Sequence, residues 1–385
     1  MTERRSGMLQ SYLNTVPDRR MITDRILMIE PYDIVAYAYL GTDMGKFNFT
    51  NREGKIYEWL EDTFTDRTDS VASGLASDST TTTAVITTAA LFQPGDVWLI
   101  ESEQIWVSAI SSTTITIVRA WGGSTAATHA NSTAMTRISR ARPDGDDADD
   151  SPSTEVSSNY NFTQILQRTI NVARTKEKLA EYGVASWEDY FIDKAMKELM
   201  MDLARLPYRG LRYAGTSGAN ARYAGGFNTF ITDNLTYATS TGATAGTALA
   251  LTRDHIDDTL KNTFDDGGDP DLILTVPHAQ RKINDMYEGF VSTERSEQMG
   301  GVLIKKLMNP ITGKPLDVVV DRNCPAGQLW ILTRSKIAYY PFDPFFYERL
   351  SKTGDAVKGE VVGEYGFVTA YDKSHGAVLE FSSTL

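Results

Sequence analysis

The longest amphipathic segment of the chain, residues 186–206, is the feature that most constrains its fold. Ser186 can accept a hydrogen bond from the amide of Asp189 as an N-cap, and Pro207 is expected to end the helix. Apolar residues recur at three- and four-residue spacing along one helical face: Trp187, Phe191, Ile192, Ala195, Met196, Leu199, Met200, Leu203 and Leu206. Because so wide an apolar stripe must be buried, we expect the rest of the chain to pack against this helix.

Length and charge limit the class of protein. A chain of 385 residues exceeds what one hydrophobic core usually organises. Its net charge of -12 has the wrong sign for a protein that binds nucleic acid through the phosphates. If this protein meets DNA, we therefore expect it to enclose the DNA rather than bind it. The chain has neither an apolar run of about eighteen residues to span a bilayer nor a secretory signal. We therefore expect several domains, no membrane association and folding in a cytoplasm.

The residue types that carry catalysis or bind metals form no known motif. Cys324 is the only cysteine, and we expect it to be a small packed residue. The four histidines lack metal-site spacing: His129, His255, His278 and His375. Ser217 has no nucleophile-elbow context, and no phosphate-binding loop occurs. The chain is therefore not expected to be an enzyme or to hold a cofactor or metal.

A β-rich segment begins near residue 70 and ends near 138. Short apolar runs at strand length alternate with turn residues: 84–87, 97–101, 104–110, 114–118 and 135–138. This pattern predicts a small sandwich or barrel. Residues 122–133, which include His129, are small and polar, and we predict a surface loop there. The five aspartates of residues 144–150 repel one another and indicate a solvated linker.

The remaining segments predict a mixed α+β body. Alternation predicts strands near residues 46–49 and 56–59, with a turn at Gly54 between them, and a further strand near 165–171. Thr252 is expected to cap a helix that buries Ile256, Leu260 and Phe264. A strand at 271–276 leads into a helix that begins at Pro277. Further strands are expected at 302–307, 316–320, 329–333, 336–340, 360–371 and 377–381.

Several short motifs follow one another along the chain at residues 58–62, 95–96, 122–123, His129, 161–165, 197–199, 350–355 and 362–364. In this order they resemble motifs of the major capsid proteins of tailed bacteriophages with the Hong Kong ninety-seven fold. The group that they resemble carries a β domain inserted in its E-loop. The chain departs from the pattern at Ala120, where such proteins tend to have glycine after arginine. This departure leaves the conformation of that turn open.

The resemblance implies an architecture for the chain. It predicts an N-terminal arm (1–45), an outgoing E-loop strand (46–69), an inserted β domain (70–140), and an acidic linker with the return strand (141–185). It further predicts a long spine helix and loops of the peripheral domain (186–252), an axial domain (253–335) and C-terminal strands of the peripheral domain (336–385).

The resemblance also implies a function. The chain would self-assemble, as hexamers and pentamers, into the icosahedral head shell that encloses the viral double-stranded DNA without sequence-specific binding. It would be a virion protein assembled in the host cytoplasm, with scaffold, portal and decoration proteins as further candidate partners. An outside scaffold, or none, is favoured over a fused one.

The N-terminal segment carries apolar residues without a periodicity that could bury them. We therefore predict that it lies against a neighbouring subunit. The residues predicted to make inter-subunit contacts are Met8, Leu9, Tyr12, Leu13, Arg19, Arg20 and Trp59.

Two other classes remain open at this point. One is a β-rich carbohydrate-binding or virion surface adhesion protein, which glycan binding by the β-rich segment without particle formation would favour. The other is a hydrolase of unfamiliar type, which turnover abolished by a single carboxylate substitution would favour.

Overall fold

The computed structural model describes residues 34–41, 47, 54–76, 80–141, 144–145, 155–179, 186–216, 221–238, 248–287, 291–295 and 303–382. The first 33 residues, most of the acidic run and residues 46, 48 and 49 of a predicted strand lie outside these ranges. The chain divides into two compact units: the first comprises Met1–Trp59 and Asn159–Leu385, and the second comprises Leu60–Ser158.

Helices and strands are numbered in chain order over the described residues. The helices are α1 (Val35–Leu40), α2 (Arg174–Lys178), α3 (Trp187–Arg209), α4 (Phe227–Phe230), α5 (Arg253–Asp265) and α6 (Pro277–Met286). The first nine strands are β1 (Ile56–Glu61), β2 (Thr68–Ser70), β3 (Thr83–Val85), β4 (Asp96–Ile100), β5 (Glu103–Ser111), β6 (Thr114–Val118), β7 (Ala134–Arg140), β8 (Ser157–Phe162) and β9 (Gln164–Ala173). The other nine are β10 (Leu235–Tyr237), β11 (Leu272–Thr275), β12 (Val291–Arg295), β13 (Leu303–Met308), β14 (Pro315–Val320), β15 (Gln328–Leu332), β16 (Ile337–Arg349), β17 (Ala356–Thr369) and β18 (Gly376–Leu379).

The long helix α3 confirms the central prediction from the sequence. Its N-cap is Ser186, whose hydroxyl accepts from the Asp189 amide at 3.2 Å. The predicted end at Pro207 is wrong by two residues, because α3 continues to Arg209. A proline in the last turn removes one backbone bond without ending the helix. Its buried residues include Ala195, Leu199, Leu203 and Leu206, four of the nine that were predicted.

A three-stranded sheet in the order β16-β17-β9 packs against α3. The buried residues of β9 are Leu166, Ile170 and Val172, which join the same core as Leu199 and Leu203 of α3. The strand predicted near residues 165–171 is therefore confirmed, and it belongs to the layer that covers the long helix.

The first unit also contains a mixed parallel and antiparallel sheet. Over the described residues its strand order is β10-β18-β15-β11-β14-β13-β12. Its strand β11 is buried throughout, as its continuous apolar run predicts. Thr252 caps α5 and Pro277 occupies the first turn of α6, both as predicted. Phe264 is 50% exposed, so the expectation that it is buried is wrong.

Residues 35–40 correct the prediction of an extended segment up to residue 45. They form the short helix α1, whose Ala36 and Leu40 lie four apart and are fully buried. Tyr37 lies against the ring of Tyr339, with 5.0 Å between the ring centroids. The helix therefore takes its stability from packing rather than from its own length.

The second unit contains a β-sheet in the order β2-β7-β4-β5-β6-β3 over its described residues. The two edges approach each other where Val71 and Ile86 form an antiparallel bridge, and the Ala72 amide donates to the Val85 carbonyl at 2.8 Å. The sheet thus closes toward a barrel, which removes exposed strand edges. All five strands predicted in this segment coincide with β3 to β7 within a few residues, whereas β2 was not predicted.

The prediction that His129 lies in a surface loop is wrong, because His129 is 1% exposed. Its Nε2 lies 2.9 Å from Glu103 and its Nδ1 lies 3.1 Å from Glu101. Glu103 also pairs with Arg119 at 2.6 Å, with both side chains fully buried. Burial would raise the pKa of Glu103, but hydrogen bonds from Arg119, the Ala127 amide and His129 lower that pKa to about 2. This buried cluster ties the loop before His129 to the sheet.

Candidate inter-subunit surfaces

Trp59, the described member of the predicted contact set, lies in the core of its own chain. It is 5% exposed, and its ring meets Phe230 edge-on at 5.4 Å and Tyr57 at 6.2 Å. β1 alternates between buried and exposed positions, so Tyr57 and Trp59 face inward together. Because so little of the Trp59 surface is exposed, it can make few contacts with another subunit. The structure therefore favours a packing role for Trp59 within its own chain.

Around Tyr57 the paired strands β1 and β8 join the rest of the first unit. We call Tyr57, Asn161, Thr163, Arg222 and Glu364 the base cluster. The Tyr57 hydroxyl accepts from the Phe367 amide at 2.6 Å and donates to the Phe367 carbonyl at 3.0 Å. Gly366 is required there, because a Cβ at that position would overlap the tyrosine ring. β1 is thereby fixed to β17.

Asn161 of β8 makes a second set of bonds to the backbone. Its amide nitrogen donates to the carbonyls of Gly225 at 2.9 Å and Phe367 at 2.6 Å, and its oxygen accepts from the Gly225 amide at 2.8 Å. The side chain is fully buried, so each of these bonds replaces water that Asn161 has lost. β8 is therefore held against both β17 and the segment around residue 225.

An ionic network completes the base cluster. Arg222 forms an ion pair with Glu364, and its Nε donates to the Thr163 carbonyl at 2.8 Å. The Thr163 hydroxyl also donates to Glu364. Glu364 and Thr163 belong to motifs on which the family resemblance rests. Arg222 was not predicted, because nothing in the local sequence shows that a loop arginine reaches a strand 142 residues away.

Residues 210–216 and 221–226 pair with each other after α3, as the two arms of a hairpin do. Tyr213 and Tyr223 form an antiparallel bridge with bonds of 3.0 and 2.9 Å. The side chains of this hairpin are unusually exposed for apolar residues: Leu211 62%, Tyr213 45% and Tyr223 38%. Aromatic residues and arginine are enriched at protein interfaces. We call Arg209, Leu211, Arg212, Tyr213 and Tyr223 the hairpin surface.

Among the described residues, neither Arg209 nor Arg212 forms an ion pair with a carboxylate, and the side-chain bonds of Arg212 go to neutral oxygens of Tyr160 and Asn159. Arg212 lies over the Tyr160 ring at 4.3 Å and donates to the Tyr160 carbonyl at 2.9 Å, which holds the guanidinium in place. Arg209 is exposed at the end of α3. The chain as a whole has a net charge of -12. This local excess of positive charge is therefore complementary to an acidic surface on a binding partner.

The first turn of α3 carries a separate charged contact. Glu188 accepts from the Tyr347 hydroxyl at 2.6 Å and from Arg349 Nε at 3.0 Å. The hydrogen bonds from Arg349 and then Tyr347 lower the pKa of Glu188. A carboxylate also suits the positive end of the helix dipole. The contact fixes the start of α3 to β16.

The other six predicted contact residues, Met8, Leu9, Tyr12, Leu13, Arg19 and Arg20, lie outside the described residues. Among the residues that are described, no group of three or more histidine, cysteine, aspartate or glutamate side chains is arranged to hold a metal ion. Over the same residues, no helix has the length and apolar character needed to cross a membrane.

Comparison with solved structures places this fold among the capsids of tailed phages. The chain matches the cyanophage A-1(L) capsid with a TM-score of 0.52 and 15% identity, covering 97% of this chain and 99% of that one. It matches the Mycobacterium phage Bobi structure with a TM-score of 0.50 and 11% identity, covering 97% and 99% of the two chains. Comparison with curated proteins gave no match. At these identities the likeness establishes the fold.

A family model then identifies the chain more closely. The model of the SU10 major capsid protein matches residues 8–382, so the chain belongs to that family. The chain is a major capsid protein, a structural subunit of the icosahedral head shell and not an enzyme. The α+β capsid fold and the capsid function predicted from the sequence are confirmed. That the second unit corresponds to an E-loop insertion stays a prediction.

Proposed function

We propose that neighbouring copies of this chain contact each other through the hairpin surface. The observation that carries the proposal is the combination of three exposed apolar side chains with two arginines that lack a carboxylate partner among the described residues. Arginine and tyrosine dominate binding energy at many interfaces. The partner is an acidic face of the next copy, because the chain as a whole is strongly negative.

In this proposal β1 and β8 form the E-loop, the second unit is its insertion, and α3 is the spine helix. The base cluster holds β1 and β8 to the rest of the first unit. The subunits form hexamers and pentamers, and the shell encloses double-stranded DNA without sequence-specific contacts, which the negative charge supports. Assembly takes place in the host cytoplasm, with scaffold, portal and decoration proteins as candidate partners.

Substituting Leu211 tests the hairpin surface. Leu211→Ser should leave the fold intact, because the side chain is 62% exposed. Loss of roughly 1 kcal/mol of apolar burial per contact should raise the concentration needed for assembly about fivefold. Sedimentation velocity measures the ratio of shells to free subunits. The matched control is Leu179→Ser, at a position 55% exposed outside the hairpin surface. If the Leu211 variant assembled at the same concentration as the wild type, the hairpin surface would not be a contact between subunits.

The N-terminal segment is the second proposed contact. Deleting residues 2–20 removes all six of the predicted contact residues that precede Trp59. The deletion should leave the circular dichroism of the free subunit unchanged while shifting material toward free capsomers, because each subunit loses a contact in every shell. Higher salt should weaken assembly of the full-length chain if Arg19 and Arg20 take part. Shells that form at the full-length protein's critical concentration would show that the segment is dispensable.

A further inference from the structure

The turn after β6 presents an exposed indole on a rigid support. The Trp121 ring stacks on Trp106 with centroids 5.3 Å apart and planes 19° apart. Trp106 is itself held, because its indole nitrogen donates to the Ala141 carbonyl at 3.2 Å. Trp121 is 37% exposed. Since one face of its ring lies against Trp106, the exposed part is the opposite face and the ring edge.

The backbone of this turn is conformationally demanding. Ala120, Gly122 and Gly123 all have positive φ, at 52°, 66° and 85°. Left-handed backbone at a residue with a Cβ is strained and persists only where its surroundings impose it. The surroundings here are the buried Arg119–Glu103 pair, with Glu103 also accepting from the Ala120 amide at 3.2 Å. These contacts hold the turn, and with it Trp121, in one conformation.

Polar groups with unused hydrogen-bonding capacity lie beside the indole. Neither the Trp121 nitrogen nor the Gln104 side-chain amide bonds a described residue, and Gln104 Oε1 lies next to Gly122. Gln104 is fixed through its backbone, whose amide donates to the Ser124 hydroxyl at 3.0 Å. The patch therefore offers a flat apolar face with both donors and an acceptor at its rim.

We propose that this patch, formed by Trp106, Trp121, Val118 and Gln104, binds a neutral saccharide. One face of a pyranose ring presents C–H groups that pack on an indole, while its hydroxyls point outward to polar groups at the rim. Val118 lies directly opposite Trp106 in the sheet and is 42% exposed, which extends the apolar face.

The size of the patch favours a sugar over a protein partner. Trp121 and Val118 together expose roughly 150 Å² of apolar surface, judged from full side-chain areas of this class. A stable protein interface takes about 800 Å² from each partner. The inference rests on this turn alone and does not depend on the hairpin surface or on how the shell is assembled.

The test uses the full-length chain on an array of neutral oligosaccharides built from glucose, galactose, mannose and N-acetylglucosamine. The tightest binder is then titrated against four variants. Trp121→Ala should weaken binding at least tenfold and Gln104→Ala at least threefold, whereas Trp121→Tyr keeps an aromatic face and should stay within threefold. The control is Val85→Ala, at a position of the same sheet with the same 37% exposure, which should bind like the wild type.

Three results would overturn the proposal. The first is an array on which no saccharide binds, and the second is undiminished binding by Trp121→Ala. The third is an equal loss in Val85→Ala, which would place binding elsewhere. Hydrogen exchange over residues 115–130 shows whether the turn is intact in each variant. If Trp121→Ala changes the hydrogen exchange of the turn, the titrations of Gln104→Ala and Trp121→Tyr show whether the patch binds the saccharide.

Discussion

At the scale of single residues, Ala120 shows how a turn can be kept without the glycine that its backbone favours. Its φ of 52° and ψ of 35° lie in the left-handed region. The departure from the family pattern at this position therefore leaves a left-handed turn in place. The Glu103 carboxylate supplies the compensation, because it accepts from the Ala120 amide and pairs with Arg119.

Replacing Ala120 with glycine should relieve this strain. Ala120→Gly is expected to stabilise the turn by up to about 1 kcal/mol, since glycine adopts the left-handed region freely. Ala109→Gly, in strand β5, is the control and should destabilise by about the same amount. Local opening free energies from hydrogen exchange over residues 103–130 measure both. A destabilising Ala120→Gly would show that the turn is unstrained.

His375 makes the first unit sensitive to acid. It is fully buried, its Nε2 donates to the Ala370 carbonyl at 3.1 Å, and its Nδ1 accepts from the Thr333 amide at 3.2 Å. Burial lowers the pKa of His375 to about 4. The unfolded state therefore binds the proton more tightly, and the stability contributed by the neutral ring is present above pH 6.5 and lost as the pH falls toward 4.

Because of His375, the free energy of unfolding is expected to fall by about 2 kcal/mol between pH 7.5 and pH 5. Urea unfolding of the free subunit at the two pH values measures it. His375→Gln cannot take up the proton and should show a smaller pH dependence, although its stability at pH 7.5 will be lower. His278→Gln is the control, because it replaces a histidine that is only half-buried with the same residue. If the free energy of unfolding depended on pH equally in the wild type, His375→Gln and His278→Gln, the acid sensitivity could not be assigned to His375.

At the scale of elements, β17 is shaped by glycines that aromatic side chains cover. A Cβ on Gly359 would overlap Tyr347, and one on Gly363 would overlap Phe345. β16 pairs antiparallel with β17 and carries both aromatic residues. Its register shifts between Pro341 and Phe346 accompany this close packing. The sheet beside α3 therefore depends on small residues in a long central strand, where glycine is otherwise unfavourable.

Gly363→Ala should destabilise the first unit by about 1 to 3 kcal/mol, the usual range for overpacking. Gly354→Ala is the matched control, because a Cβ there meets nothing within 4 Å and the backbone does not have a positive φ. Thermal unfolding of the free subunits compares the two. Adding Phe345→Ala to Gly363→Ala should make the glycine substitution less harmful. A Gly363 variant as stable as the Gly354 variant would show that the aromatic ring can move away.

At the scale of the whole molecule, the sequence predicts elements well where their signals are local. The Ser186 cap, the Thr252 cap and Pro277 all lie where local rules place them, and the periodic stripe correctly identified α3. What could not be predicted depends on contacts between distant segments. The burial of His129 follows from carboxylates about 26 residues away, and that of Trp59 from Phe230. The composition of residues 209–226, rich in glycine and alanine, predicts only a long loop, because the exposure of its tyrosines has no sequence signal.

A major capsid protein assembles with copies of itself into a shell. Electron microscopy of the purified full-length protein, expressed alone and sampled over a range of concentrations, tests this self-assembly most directly. We expect closed shells with icosahedral symmetry, into whose density the fold of the first unit fits. We also expect fewer shells from the Leu211→Ser variant than from Leu179→Ser. Folded protein that stays monomeric at every concentration, or that forms only open irregular aggregates, would contradict this expectation.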